Sequence, residues 1–168
     1  SGGIFIDDND ISKLSRSALR KNITMVSDEL PLIGNTVFET ISYSRKEEKR
    51  DAALNMLHEL GFRIENSSSI LDHRVFDGGK NLSAGQRKLL IIARAFLTNK
   101  KIILLDEPFV DLDEGYKLKV IKMLLKLKEN HTILAIDKDI NDTLTYDRVI
   151  FLDLSHLYIS HISQIRCI

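Results

Sequence analysis

Asn81 to Asp113 reads N-L-S-A-G-Q-R-K-L-L-I-I-A-R-A-F-L-T-N-K-K-I-I-L-L-D-E-P-F-V-D-L-D. A polar turn, Leu82 to Gln86, opens an apolar helix placed over about Lys88 to Thr98. A basic link follows at Asn99-Lys100-Lys101. Ile102 to Leu105 then read as a buried strand that stops in Asp106-Glu107-Pro108. An apolar strand running into two carboxylates places them at the carboxyl edge of a parallel sheet, where ligands bind in open α/β folds. The first carboxylate suits Mg²⁺, directly or through water, because Mg²⁺ takes hard oxygen ligands. The second suits orientation of a water for attack on a γ-phosphate. The plainer reading is a strand end and a turn at Pro108. At the helix start, Ser83 and Gly85 leave backbone N–H groups open to an anion, with the helix dipole behind them. The plainer reading there is a cap, Ser83 with Gln86 as its capping-box partner. All of these readings stay open on the residues alone.

Outward from this stretch, the pattern is alternating strand and helix. Ile4 to Ile6 read as a short strand closed by the turn Asp7-Asp8-Asn9, and Asp10 caps a helical turn over Ile11 to Leu14. Ser17 to Lys21 form another helical turn, and Ile23 to Val26 a buried strand. Ser27 to Asn35 is a loop, and Thr36 caps a short helix over Val37 to Ile41. Glu47 to Leu60 is an amphipathic helix with Ala53, Leu54, Leu57 and Leu60 on one face and Gly61 as its stop. Past Asp113, a helix from about Glu114 to Lys128 offers Leu118, Ile121, Leu124 and Leu125 as its stripe. Thr132 to Ile136 and Arg148 to Leu152 read as buried strands, Ile140 to Leu144 as a helical turn and Leu157 to Ser160 as an edge strand. Continuous apolar strands between helices imply an α/β fold with a parallel sheet.

Bulk composition narrows the class. The 168 residues suit one domain with a real core. Zero formal net charge provides no field toward nucleic acid or anionic lipid. Cys167 is the single cysteine, so no intrachain disulfide forms. No apolar run approaches the roughly 20 residues that span a bilayer. His58, His73, His131, His156 and His161 lack metal-ligand spacing and read as surface or loop histidines. A chain opening at Ser1-Gly2-Gly3 and going straight into a strand reads as a piece of something longer.

The pentapeptide L-S-A-G-Q, the helix and I-I-L-L-D-E-P, in that order, resemble the ATP-binding cassette (ABC) ATPases. In that family L-S-G-G-Q is the signature and the strand ending in D-E is Walker B; here Ala84 replaces one glycine. Ser1 to Arg20 resembles the family's S-G-x-I-x-I-D-G-x-D-I and the Leu-Arg pair that follows. Val75 to Gly79 resembles the exporter-type loop before the signature, with Asp77 in place of a common Glu. Val110 to Asp113 matches the D-loop, and Asp147 to Asp153 resembles the closing strand. The resemblance covers residues 1 to about 153.

The resemblance implies a P-loop NTPase-like parallel sheet flanked by helices, with a helical subdomain carrying the signature. That subdomain would occupy about 37–98, the remainder of the RecA-like core 1–36 and 99–153, and a tail 154–168. It implies ATP and Mg²⁺ as cofactors, with Asp106 on the metal and Glu107 catalytic. Ser83, Ala84, Gly85 and Gln86 would address a nucleotide in trans, with Asp113 near the interface. The implied partners are a second ABC ATPase domain, closing head to tail, and the transmembrane domain of a transporter. The location would be the cytoplasmic face of a membrane.

Three departures qualify this. The pattern G-x-x-x-x-G-K-[ST] is absent, since the only Gly-Lys pair, Gly79-Lys80, has Arg74 where the first Gly belongs and Asn81 after it. The family places that loop before residue 1. Asp28 occupies the Q-loop glutamine position and Asp137 the switch-histidine position. Ionised Asp only accepts hydrogen bonds, and an added carboxylate near a γ-phosphate repels it. These residues by themselves are expected to bind ATP very weakly and not to hydrolyse it appreciably. Two alternatives to an exporter ATPase domain stay open: a non-hydrolysing subunit lending its signature face to a partner, and a soluble ABC ATPase without a transport role.

Overall fold

A computed structural model describes residues 2–43, 46–65, 67–137, 147, 148 and 150. Strands β1 (Phe5–Ile6) and β2 (Asn9–Asp10) form an antiparallel hairpin, with Ile6 opposite Asn9. Asp7 and Asp8 turn it with φ of 46° and 63°. Positive φ at both central positions is what a two-residue hairpin turn requires, and Asp is among the residues that tolerate it. Asn9 therefore belongs to a strand rather than to the turn expected for it. Asp10 caps a 3₁₀ turn over Ile11–Lys13, accepting from the Ser12 N–H. Helix α1 (Arg16–Asn22), capped by Ser15, leads into β3 (Ile23–Val26).

Helix α2 (Val37–Ser42) starts at Thr36, whose side chain accepts from the Glu39 N–H. A 3₁₀ turn over Glu47–Lys49 precedes α3 (Arg50–Glu59), and Gly61, at φ 71°, ends that segment. Helix α4 (Ala84–Leu97) begins four residues earlier than its apolar run suggests, because the cap at Ser83 lies inside the polar turn. Helices α2, α3 and α4 pack on one another. Their core includes Phe38, Ile41, Leu57, Leu60, Leu89, Leu90 and Ile92. A fully buried Leu or Ile of this kind contributes roughly 1.5–3 kcal/mol. Arg94 is also buried; its guanidinium donates to the Pro31 carbonyl at 2.9 Å and lies over the Tyr43 ring. Burial lowers its pKa, against a smaller opposing effect of Tyr43.

Strand β4 (Ile102–Asp106), helix α5 (Glu114–Leu127) and strand β5 (Thr132–Ile136) complete the described elements. The sheet is parallel, in the order β3-β4-β5. Register places Thr24, Ile103 and Ile133 in one row and Val26, Leu105 and Ala135 in another, on the face that joins the core. The opposite face carries Met25, Leu104 and Leu134 in one row, with Asp106 beside Ile136. Met25, Leu134 and Ile136 are exposed, so the described residues leave an apolar sheet face uncovered. Parallel sheets ordinarily have both faces covered.

The stripe expected on α5 needs correction. Val120, Met123 and Leu124 are buried, whereas Leu118 and Leu125 are exposed. The expected strand at 148–152 lies mostly outside the described residues, and Ile150 is exposed. The turn at 140–144 and the strand at 157–160 lie wholly outside them, as do His156, His161 and Cys167.

Candidate functional site

The carboxyl edge of the parallel sheet gathers the acidic residues. Asp106 ends β4, half-buried, and its Oδ2 accepts from the Ser27 hydroxyl at 3.3 Å. Ser27 follows β3 directly and is itself buried. Glu107 turns the chain away with φ 46°, and its N–H donates to the Ile136 carbonyl at 2.8 Å. A left-handed backbone at a residue with a Cβ costs about 1–2 kcal/mol, so the bond to β5 helps to hold a strained turn. The same bond sets Asp137, which follows β5, beside Glu107. Asp106, Glu107 and Asp137 thus share one edge.

This edge fits a magnesium ion that arrives with a ligand. Among the described residues no group of three or more His, Cys, Asp or Glu side chains could hold a metal by itself. Mg²⁺ needs no such cage, because it is commonly held by one or two carboxylates, several waters and substrate phosphates. Asp106, with one oxygen engaged by Ser27, supplies hard oxygen of that kind.

Asp28 does not behave as a bare carboxylate. Its Oδ1 accepts from Lys88 Nζ at 2.8 Å. The Lys88 side chain is 1% exposed and that of Asp28 53%. The repulsion expected from an added acid is therefore countered by a cation from α4. Sequence reasoning missed Lys88, and the signal was a lone lysine leading the apolar run Leu89 to Ala93. It also missed Ser27, since a serine directly after a strand end offered no comparable signal.

The start of α4 realises the capping box. Ser83 Oγ accepts from the Gln86 N–H at 3.1 Å, and Gln86 Oε1 accepts from the Ser83 N–H at 2.9 Å. Gln86 Nε2 donates to the Arg63 carbonyl. Helix geometry leaves the N–H groups of Ala84 and Gly85 without intrahelical acceptors. A Cβ on Gly85 would stand 2.9 Å from the Asp111 carbonyl oxygen, so this glycine lets the loop after β4 approach closely. Asp113 ends that loop by capping α5, its Oδ1 accepting from the Tyr116 N–H at 2.9 Å.

The loop before α4 is held by Asn81, whose Oδ1 accepts from the Phe76 N–H and whose Nδ2 donates to the Arg74 carbonyl. Asp77, Gly78 and Gly79 all have positive φ. A shallow cavity of about 350 Å³ is lined by Asn35, Thr36, Arg74, Val75 and Phe76. Of these, Phe76 is exposed, as is Ile33 in the loop after β3. His131 bonds through its ring to the Leu127 carbonyl and Asn99 Oδ1, and His73 meets Asn81.

Comparison with known proteins bears on the family and the fold. A family model described as ABC transporter matches residues 1–110. The multidrug resistance-like ATP-binding protein MdlB of Buchnera aphidicola is 32% identical over 154 residues, covering 90% of this chain and 26% of that protein. The ATP-dependent lipid A-core flippase of Neisseria gonorrhoeae is 33% identical over 155 residues, 91% of this chain and 25% of that protein. The solved structure of a bacterial Atm1-family ABC exporter with ATP bound superposes with a TM-score of 0.82 at 24% identity, over 91% of this chain and 27% of that one. That likeness shows the fold. The chain spans about a quarter of the length of these relatives.

Proposed function

Because this chain belongs to the ABC transporter family, we propose that it forms much of an exporter-type ATPase domain, one that couples ATP hydrolysis to transport across a membrane. The observation that carries this is the gathering of Asp106, Glu107 and Asp137 at one edge of the parallel sheet, with Asp106 bonded to Ser27. Bound Mg²⁺·ATP supplies the phosphoanhydride that is cleaved. Asp106 would hold the Mg²⁺ that accompanies the nucleotide, as a hard oxygen ligand, directly or through water. Glu107 orients and polarises the water that attacks, and its fixed backbone keeps the carboxylate in place. Asp137, beside it, offers only acceptors when ionised.

The start of α4 serves a different nucleotide, held by a second ATPase domain packed head to tail. Ser83 to Gln86 address it with the open N–H groups of Ala84 and Gly85 and with the positive end of a 14-residue helix. Asp113 lies toward that interface while its side chain caps α5. In this reading residues 37–98 are the helical subdomain, 1–36 and 99–153 belong to the ATPase core, and 154–168 are a tail. The exposed Phe76, which lines the cavity with Asn35 and Arg74, and the exposed Ile33 of the loop after β3 suit docking of a transmembrane domain at the cytoplasmic face of the membrane. The phosphate-cradling pattern is absent from these 168 residues, so on their own they bind ATP weakly and do not turn it over.

The test is the full-length protein with Glu107→Gln. We expect Mg²⁺·ATP binding to remain and turnover to fall about a hundredfold or more. Loss of binding together with turnover would refute the assigned role. A second reading follows from the acceptor-only Asp137: a non-hydrolysing subunit that lends its Ser83–Gln86 face to an active partner. It predicts no turnover by the wild-type chain's own site, while Ser83→Arg abolishes the partner's turnover.

A further inference from the structure

A lysine with 1% of its side chain exposed is costly unless its charge is met. Lys88 is met by Asp28, which lies two residues beyond the end of β3. The residue before Asp28 in the chain is Ser27, whose hydroxyl donates to Asp106. The chain Lys88–Asp28–Ser27–Asp106 therefore runs without interruption from the signature helix to the carboxylate assigned to the metal. A second bond ties the same loop to the same helix, from Arg94 Nη1 to the Pro31 carbonyl at 2.9 Å. Farther along, a Cβ on Gly79 would stand 2.9 Å from Leu32 Cδ1, so the loop after β3 also packs against the segment that leads into α4.

We propose that Lys88 is a positioning residue for the nucleotide site: its ion pair with Asp28 fixes the loop after β3 so that Ser27 orients Asp106. This rests on the reading of the sheet edge as an ATPase site. Lys88 touches no nucleotide. It neutralises Asp28 and joins the helix that addresses the partner's nucleotide to the edge that addresses its own. Removing the lysine frees Asp28 to turn toward the phosphates and lets Ser27 leave Asp106. Misplacement of a catalytic group by about 1 Å costs on the order of a hundredfold in rate, and loosening through one intermediate residue is expected to cost about tenfold.

The test uses the full-length protein with Lys88→Met, Asp28→Asn and the double variant, each read by thermal unfolding and by kcat and KM for Mg²⁺·ATP. Asp28→Asn leaves a buried cation without its counter-charge and unfolds at lower temperature. Lys88→Met keeps the apolar stem, leaves a carboxylate that water reaches, and unfolds near the wild-type temperature. The double variant regains the stability lost by Asp28→Asn. A positioning role predicts that Lys88→Met and the double variant, though stably folded, lose about tenfold in kcat, with a smaller change in KM. If the double variant regains turnover along with stability, the pair is only structural and the proposal is overturned. If the wild-type protein neither binds nor hydrolyses Mg²⁺·ATP, the ATPase reading itself fails, and the proposal falls with it.

Discussion

Gly85 and Gly115 allow one substitution to be compared at equivalent positions. Each is the second residue of a helix, α4 and α5 respectively. Glycine to alanine within a helix ordinarily stabilises by up to about 1 kcal/mol, less at an end. At Gly115 the new methyl would meet Asp113 Oδ1 at 3.2 Å, and a side chain can shift by a few tenths of an ångström. At Gly85 it would meet the Asp111 carbonyl oxygen at 2.9 Å. That carbonyl belongs to a residue at φ 67°, between the buried Phe109 and the cap at Asp113, so the backbone cannot yield cheaply. Overpacking of this kind costs about 1–3 kcal/mol, which exceeds the gain from propensity. Gly85→Ala is therefore expected to lose about 1–2 kcal/mol, or roughly 3–6 °C in Tm at this size. Gly115→Ala is expected to be neutral or to gain up to about 0.5 kcal/mol. Thermal unfolding of the two variants beside the wild type measures the difference. Equal stability of the two would refute the close approach of the loop to α4.

Ser83→Ala removes a cap and should cost about 1 kcal/mol. If Ser83 addresses a partner's phosphates as proposed, Ser83→Asp keeps a good cap but brings a negative charge to them, so stability should hold while turnover of the assembled protein falls; unchanged turnover would leave Ser83 only its capping role. Glu107→Gly should unfold at higher temperature than Glu107→Ala, by about 1 kcal/mol, because only glycine sits without strain at φ 46°; the reverse order would remove the argument for strain there. Asp72 has its pKa lowered by hydrogen bonds from Ser69 and from Arg50, which reaches it at 2.8 Å. Its contribution is present above the ordinary Asp value of about 3.9 and is lost as pH falls through the lowered value. Asp72→Asn should therefore flatten the acid limb of the stability–pH curve slightly, the pair being solvent-screened; an unchanged limb would argue against the pair.

The strands of the parallel sheet were legible because each is a short continuous apolar run. Ile23–Val26 and Thr132–Ile136 match their expected bounds, and Ile102 gains only Asp106. Helix starts at Thr36 and Ser83 were legible because side-chain oxygens there have a defined chemical task. The face of α5 was not. Its sequence alternates lysine with apolar residues closely enough to offer more than one stripe, and tertiary packing selected Val120, Met123 and Leu124. Lys88 was illegible for a related reason. A lysine ordinarily marks a solvated face, and only the fold brings Asp28 from 60 residues away to receive it. The row Asp106, Glu107 and Asp137 was legible as separate strand ends, while its assembly depends on strand order.

Strands β3 and β4 lie side by side, yet residues 27–101 separate them along the chain. Closing a loop costs only about 0.6 kcal/mol more for each doubling of its length, so equilibrium barely registers the detour. Kinetics registers it strongly, because parallel pairing of distant segments is slow. Helices α2, α3 and α4 pack on one another within that intervening stretch and can collapse first, delivering β4 already attached to their end. In pulsed hydrogen exchange during refolding, amides of these helices should gain protection before those of β3 and β5. Simultaneous protection would show that the sheet organises the helices instead. On the expected order, the acidic edge is the last of the described parts to assemble, and a slow-folding population would carry a finished α4 before it had the edge proposed to meet the metal.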